Sequence, residues 1–269
     1  MDFKSANLDN QEIKNFIAVD IGNTTCEFAI FSNNKIITKS YIQSKPLNME
    51  EIKSLGDITS NFKDALFVIC SVVKNAGESL KVFLQKEYNA TVLLINASSY
   101  NLLMKTTGRD VASIGLDIIA KSDWAIANNK SPCIIVDVGT ATVVQYIDES
   151  GSMDKVAITL GLSSIYKVLN SNTSLLPLVT PKKTHEALGF DTISAMQRGI
   201  YWGYIGTINS LISKAINETN CNNIFITGGL SKLILDDLQV KPVHNSNIIF
   251  DGIRVILNNN INKVKNNEK

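Results

Sequence analysis

Short apolar runs recur along this chain, each stopped by turn-forming residues. FIAVD (Phe16–Asp20) is the first, a strand pattern that ends on a carboxylate. IGNTT follows as a turn, and CEFAIF (Cys26–Phe31) alternates as the second strand of a hairpin would. NNK at 33–35 is the next turn signal, with IITKSYI predicting a third strand. Residues 49–64 read as helical, ALFVICS (Ala65–Ser71) as a buried strand, Glu78–Glu87 as a helix and TVLLIN (Thr91–Asn96) as a strand. The pattern then restarts. Ser113 to Asn129 has helical spacing, with Ile114, Ile118, Trp124 and Ile126 among its apolar positions. CIIVD (Cys133–Asp137) again ends on aspartate, VGTAT is its turn and VVQYID its hairpin partner. Thr192 to Ile216 predicts a long helix, NIFIT (Asn223–Thr227) a strand, and Gly228–Gly229 opens onto a helix near Leu230–Leu235.

The restart carries an internal repeat. AVDIGNTT at 18–25 and IVDVGTAT at 135–142 share the order apolar, any, Asp, apolar, Gly, polar, any, Thr. Self-similarity of this kind predicts two related α/β lobes, each a mixed sheet flanked by helices. The expected boundaries are a polar leader at 1–14, lobes at 15–112 and 113–259, and a polar tail at 260–269.

Composition narrows what the lobes could do. The chain has 269 residues, 45% of them hydrophobic, enough for two cores. With 26 basic and 25 acidic residues the formal net charge is +1, which argues against nucleic acid as a partner. There is neither a long apolar run nor a basic-then-apolar start, so no membrane span and a cytoplasmic setting are expected. Cys26, Cys70, Cys133 and Cys221 are scattered, as buried free thiols would be. His185 and His244 are the only histidines, too few for a zinc site or a serine–histidine triad to be the natural reading.

Strand–Asp–x–Gly–polar–Thr suits phosphate. The strand fixes the carboxylate at a rigid edge, and glycine lets backbone N–H groups approach phosphate oxygens. Asn23, Thr24 and Thr25 add neutral donors, and Asp20 can hold Mg2+ through bound phosphates. The second copy offers Asp137, Gly139, Thr140 and Thr142. Phosphoryl transfer needs mainly positioning and charge neutralisation, which two such loops can supply. ITGGLSKL (Ile226–Leu233) is a third glycine element, fit for the adenosine side of ATP through Gly228 and Gly229. Neither GxxxxGK[ST] nor GxGxxG is present.

In this order the three loops resemble the superfamily of acetate and sugar kinases, heat-shock chaperone ATPases and actin. More closely, the chain resembles the type III pantothenate kinases. DIGNTTCEFAIF is similar to their first phosphate motif, CSVVKN (Cys70–Asn75) to their SSV segment and SIGLDIIAKSDWAIA at 113–127 to their G-x-D-R helix. DVGTAT resembles their second phosphate motif, TLGLSS at 159–164 their P-G-L turn, and LGFDTISAMQRGIYWGYIGTINSLI their G-x-N-T helix. FITGG and FDGI (Phe250–Ile253) complete a set spanning about 16–257.

The resemblance implies a duplicated actin-like (ribonuclease H-like) fold and ATP-dependent phosphorylation of pantothenate by a homodimer. It implies that Asp20, Ile21, Gly22, Asn23, Thr24, Thr25, Cys26 and Glu27 surround the ATP phosphates, with Gly139, Thr140, Gly228 and Gly229 completing the nucleotide site. Asp117 would be the catalytic base, Gly115, Leu116, Asp117 and Ile118 would line the acceptor pocket, and Thr192 would contact the acceptor. Asp137 would bind a monovalent cation, K+ or NH4+. The chain departs from the pattern mainly on the acceptor side. Ile118 stands where the family has arginine, and Asp191 where G-x-N-T has asparagine. Val143 and Gln145 replace Thr and Asp, and TTGRDVAS replaces a segment with tyrosine and proline. Arg109 and Lys121 are the cations near enough in sequence to replace the missing arginine. The alternative function is a nucleotide-binding paralogue without pantothenate kinase activity, acting through a protein partner or in regulation. A filament-forming actin relative fits less well, since the chain is short and lacks obvious insertions.

Overall fold

The structure, a computed structural model, describes residues 13–45 and 47–267. It divides into two compact units, one running up to Asn129 and resuming at Ile248, the other Lys130–Asn247.

In the first unit, β1 (Phe16–Ile21), β2 (Thr25–Ser32) and β3 (Lys35–Gln43) form an antiparallel meander. The chain continues through α1 (Met49–Lys53) to β4 (Leu66–Ser71), α2 (Ala76–Tyr88), β5 (Thr91–Leu94) and α3 (Leu116–Ala127). β4 and β5 add in parallel beyond β1, giving the order β3-β2-β1-β4-β5. Strands β1 and β4 are apolar along almost their whole length because helices need a buried sheet to cover; Val19, Ile69, Leu80, Leu84 and Phe62 share one core.

The second unit repeats this plan. It contains β6 (Cys133–Val138), β7 (Ala141–Ile147), β8 (Lys155–Leu160), α4 (Leu162–Asn172), α5 (Thr192–Thr219), β9 (Ile224–Thr227), α6 (Ser231–Ile234) and β10 (Val243–His244). Its sheet runs β8-β7-β6-β9-β10, the same meander followed by the same two parallel strands. Asp20 and Asp137 are each the fifth residue of the leading strand, with matching burial along both strands. The expected duplication is therefore a duplication of topology.

The unit boundaries differ from those expected. α3 belongs with the first unit, and so does α7 (Ile248–Asn267), which packs along it. Gly252 makes that possible, since a Cβ there would overlap the Ala120 carbonyl. An apolar helical stripe declares that it needs a partner without saying which sheet supplies it. The expected tail at 260–269 begins inside α7, where Asn260 and Ile261 are buried. Asn260 accepts from the Asn101 N–H at 2.7 Å and donates to the Asn101 carbonyl at 3.1 Å. Most of the expected leader, residues 1–12, lies outside the described residues. The helix expected over 49–64 is broken in two: α1 ends at Lys53, and Gly56 at φ +60 opens a 3-10 turn at Gly56–Asn61.

Candidate active site

The segment that reads as the first phosphate loop is the tight turn between β1 and β2. Gly22 N–H donates to the Thr25 carbonyl at 2.9 Å, which closes the turn. Asn23 is exposed at its tip and accepts from Lys45 Nζ at 2.9 Å. Ser44 N–H anchors the loop through the Thr24 carbonyl at 2.9 Å. Ile21 and Cys26 are wholly buried, so any part they play in a nucleotide site is through their backbone. Burial, then the charges of Asp20 and Glu27, pushes the Cys26 thiol far above its ordinary value.

Beside Asp20 on β4 lies Cys70, its register partner in the parallel ladder. This thiol is pushed well up by burial and then by the carboxylates of Asp20 and Asp117, while Lys121 acts in the opposite sense. Three charged groups thus act on one buried thiol. Asp117 is in the first turn of α3, where a carboxylate is favoured by the helix dipole. Four residues on, Lys121 places Nζ 3.0 Å from Asp117 Oδ2, and its side chain is only 1% exposed. Asp117 Oδ1 turns back over Gly115, 2.6 Å from where a Cβ on that glycine would stand. Leu116 is half-buried and Ile118 buried; Arg109 is exposed. A cavity of about 410 Å3 in the same unit is lined by Leu116, Ile114, Ala112, Tyr100 and Lys81 among others.

The loop that delivers α3 is fixed by a buried carboxylate. Asp123 Oδ1 accepts from Met104 N–H at 2.7 Å, and Leu103 N–H lies 3.1 Å from Oδ2. Burial pushes this carboxyl up to about 6 against those two donors.

In the second unit, Asp137 is the fifth residue of β6, and close backbone approaches occur beside it at Gly228 and Gly139. Gly228 has φ +97, and a Cβ there would sit 2.5 Å from the Val138 carbonyl and 2.6 Å from Asp137 Oδ1, so only glycine fits. A Cβ on Gly139 would be 3.3 Å from the Ala141 carbonyl, whereas one on Gly229 meets nothing within 4 Å. Thr140 is exposed, and its carbonyl accepts from Gly161 N–H at 3.0 Å and Ser164 Oγ at 2.6 Å. The turn at 159–164 therefore braces the second loop. From α5, Tyr204 Oη lies 2.5 Å from buried Thr142 Oγ1. Burial pushes that phenol up to about 12; the Thr142 hydrogen bond opposes and the Asp137 charge adds. Sequence reasoning missed Ser164 and Tyr204 because their roles depend on elements distant along the chain.

Thr192 is exposed in the first turn of α5. Its predecessor Asp191 caps that helix: its side chain accepts from Ser194 N–H at 2.9 Å, and Ser194 Oγ accepts from Asp191 N–H at 3.1 Å. These hydrogen bonds hold the Asp191 carboxyl below its ordinary value. Asparagine and aspartate cap helices about equally well, so this departure from the family motif preserves the cap. All four cysteines are free and buried. Among the described residues no group of three or more His, Cys, Asp or Glu side chains could hold a metal ion. A single carboxylate such as Asp20 suits an ion that takes its remaining ligands from phosphate and water, the habit of Mg2+.

A family model for type III pantothenate kinases matches residues 16–214. A curated type III pantothenate kinase of Pelagibacter ubique (strain HTCC1062) is 31% identical over 241 residues, covering 88% of this chain and 96% of that protein. Another, of Endomicrobium trichonymphae, is 29% identical over 255 residues, covering 90% and 98%. Solved structures agree on the fold. A protein from Campylobacter jejuni assigned to the Baf family aligns with TM-score 0.54 at 17% identity, covering 92% of this chain and 100% of its own. The (R)-2-hydroxyglutaryl-CoA dehydratase component A of Acidaminococcus fermentans gives 0.51 at 12% identity, covering 93% and 99%. The fold is the duplicated, actin-like α/β architecture. The chain belongs to the type III pantothenate kinase family.

Proposed function

We propose that this chain transfers the γ-phosphoryl group of ATP to the primary hydroxyl of pantothenate, giving 4′-phosphopantothenate and ADP, the first step of coenzyme A biosynthesis. The observation that carries the reading is Asp117. It is a carboxylate at a helix N-terminus, held on one oxygen by Lys121, and it stands where the resemblance puts the family's base; its neighbour Leu116 lines a cavity. The acceptor oxygen attacks the γ-phosphorus as its bond to the β–γ bridging oxygen breaks, and Asp117 takes the hydroxyl proton. In the first unit the Gly22–Thr25 turn offers backbone N–H groups suited to phosphate, and in the second unit the Gly139–Thr140 turn does the same. Mg2+, when bound, neutralises phosphate charge, with Asp20 the residue to hold it through the phosphates. Asp137 is assigned to a monovalent cation, K+ or NH4+. Among the described residues no helix is long and apolar enough to cross a membrane. Nothing in the comparisons favours a non-catalytic paralogue.

Coupled ADP release with and without pantothenate tests the activity. Pantothenate-dependent release is expected, falling sharply when potassium is replaced by a bulky organic cation; equal rates in both buffers remove the cation from the proposal. Asp117→Asn keeps the shape and removes the basicity, so turnover should fall by roughly 10²–10⁴-fold with Mg-ATP affinity retained. Near-native turnover in that folded variant would show that Asp117 is not the base.

A further inference from the structure

Ile118 leaves this chain without the cation that its family's motif places next to the base, yet the structure supplies a cation from inside the same helix. Lys121 reaches Asp117 Oδ2 at 3.0 Å across one helical turn. At 1% exposure its side chain is sealed from solvent, so a dissolved acceptor has almost no lysine surface to touch. Burying an ammonium is costly unless it is paired, and removing one partner of such a pair leaves an uncompensated charge. A surface lysine at i+4 would be a minor helix contact; this one is committed to the site. The second oxygen, Oδ1, is turned over Gly115, where the missing side chain leaves room for it.

We propose that Lys121 is the positioning residue of this centre: it clamps Asp117 Oδ2 so that Oδ1 alone is presented to the acceptor hydroxyl. The inference rests on Asp117 being the base. It assigns to Lys121 the orientation of that base and not the binding of the acceptor's carboxylate. A carboxylate that swings freely offers its proton-accepting lone pair in the wrong direction for much of the time, and a misplacement of about 1 Å can cost around 10²-fold in rate. Asp20 on β1 acts on the same buried Cys70 thiol as Asp117 and Lys121 do.

The test is a kinetic comparison on the full chain with Lys121→Met, which keeps an unbranched side chain one atom shorter and removes its charge. Two acceptors are used, pantothenate and an uncharged pantothenamide. Turnover should fall by at least about 10-fold with both, with little change in the KM of either and Mg-nucleotide affinity retained. A rise in KM for pantothenate alone would make Lys121 an acceptor-carboxylate anchor and overturn the proposal. Nucleotide binding weakened as much as in Asp20→Asn would overturn it too, by assigning Lys121 to the phosphate loop. Because an unpaired Asp117 could destabilise the fold, Asp117→Asn/Lys121→Met is measured beside the single variants. If Lys121 acts through Asp117, its loss adds nothing to the loss already caused by Asp117→Asn; a further multiplicative drop rejects the clamp. Native turnover in Asp117→Asn would refute the base itself, an outcome separate from native turnover in Lys121→Met, which refutes only the positioning role.

Discussion

Gly115 controls where Asp117 can go. Its backbone angles, φ −57 and ψ 133, are open to any L-residue, so no conformational strain bars a side chain. The obstacle is Asp117 Oδ1 at 2.6 Å from the would-be Cβ, the end of a side chain that can swing away. Gly115→Ala should therefore fold with an unfolding temperature close to that of the parent while displacing the carboxylate. Turnover should drop by about 10²-fold, the cost of an ångström-scale misplacement. Parallel melting curves and ADP-release rates check this; unchanged turnover would mean the carboxylate has no preferred pose. Much of this centre is legible in the sequence. The glycine, the aspartate and Lys121 stand there, and an i,i+4 Asp–Lys pair is a familiar helical spacing. What the sequence hides is burial: the same spacing on an exposed face would carry little weight, and only packing shows that Lys121 is enclosed.

At the scale of elements, α3 is held in place by α7, and their close crossing depends on Gly252. Its absent Cβ would overlap the Ala120 carbonyl, backbone that cannot rotate away. Gly252→Ala should force the helices apart and destabilise the chain by about 1–3 kcal/mol, the usual penalty of overpacking. Denaturant unfolding would register it, and an unaltered midpoint would show that the crossing is looser than the geometry implies. Turnover should fall as well, since α3 carries Asp117. The FDGI segment was legible as a family motif, but its mechanical role was not, because it lies far along the chain from Ala120. The same distance misplaced the lobe boundary. Periodicity reports the apolar face of α3, and only tertiary packing reports that α7 returns to cover it. β8 and α4 were missed for a related reason. KVAITL alternates, but Val156, Ile158 and Leu160 are exposed to differing degrees on an edge strand, so the run did not read as part of a buried sheet.

For the molecule as a whole, the repeated Asp motif was enough to predict two lobes because strand, turn and hairpin partner recur together, and the sheets repeat order as well as motif. The long helix α5 buries one face, through Ile200, Tyr204, Ile208 and Ile212, and leaves Gly199, Gly203, Gly206 and Thr207 exposed. The apolar surface that wants covering lies elsewhere in the second unit. Leu175 is 90% exposed, Phe190 87% and Leu188 84%, in the stretch between α4 and α5, with Ile158 on β8 at 64%. Isolated exposed side chains are ordinary; large ones this bare along one connecting stretch are the surface proposed for an interface. A homodimer is the proposed occupant, in keeping with the family's assembly. Light scattering at micromolar concentration should give twice the mass of one chain, and Leu188→Ser/Phe190→Ser should shift the population toward single chains without loss of secondary structure. A monomer from the unmodified chain would refute the dimer outright. A dimer indifferent to both serines would place its interface away from these residues.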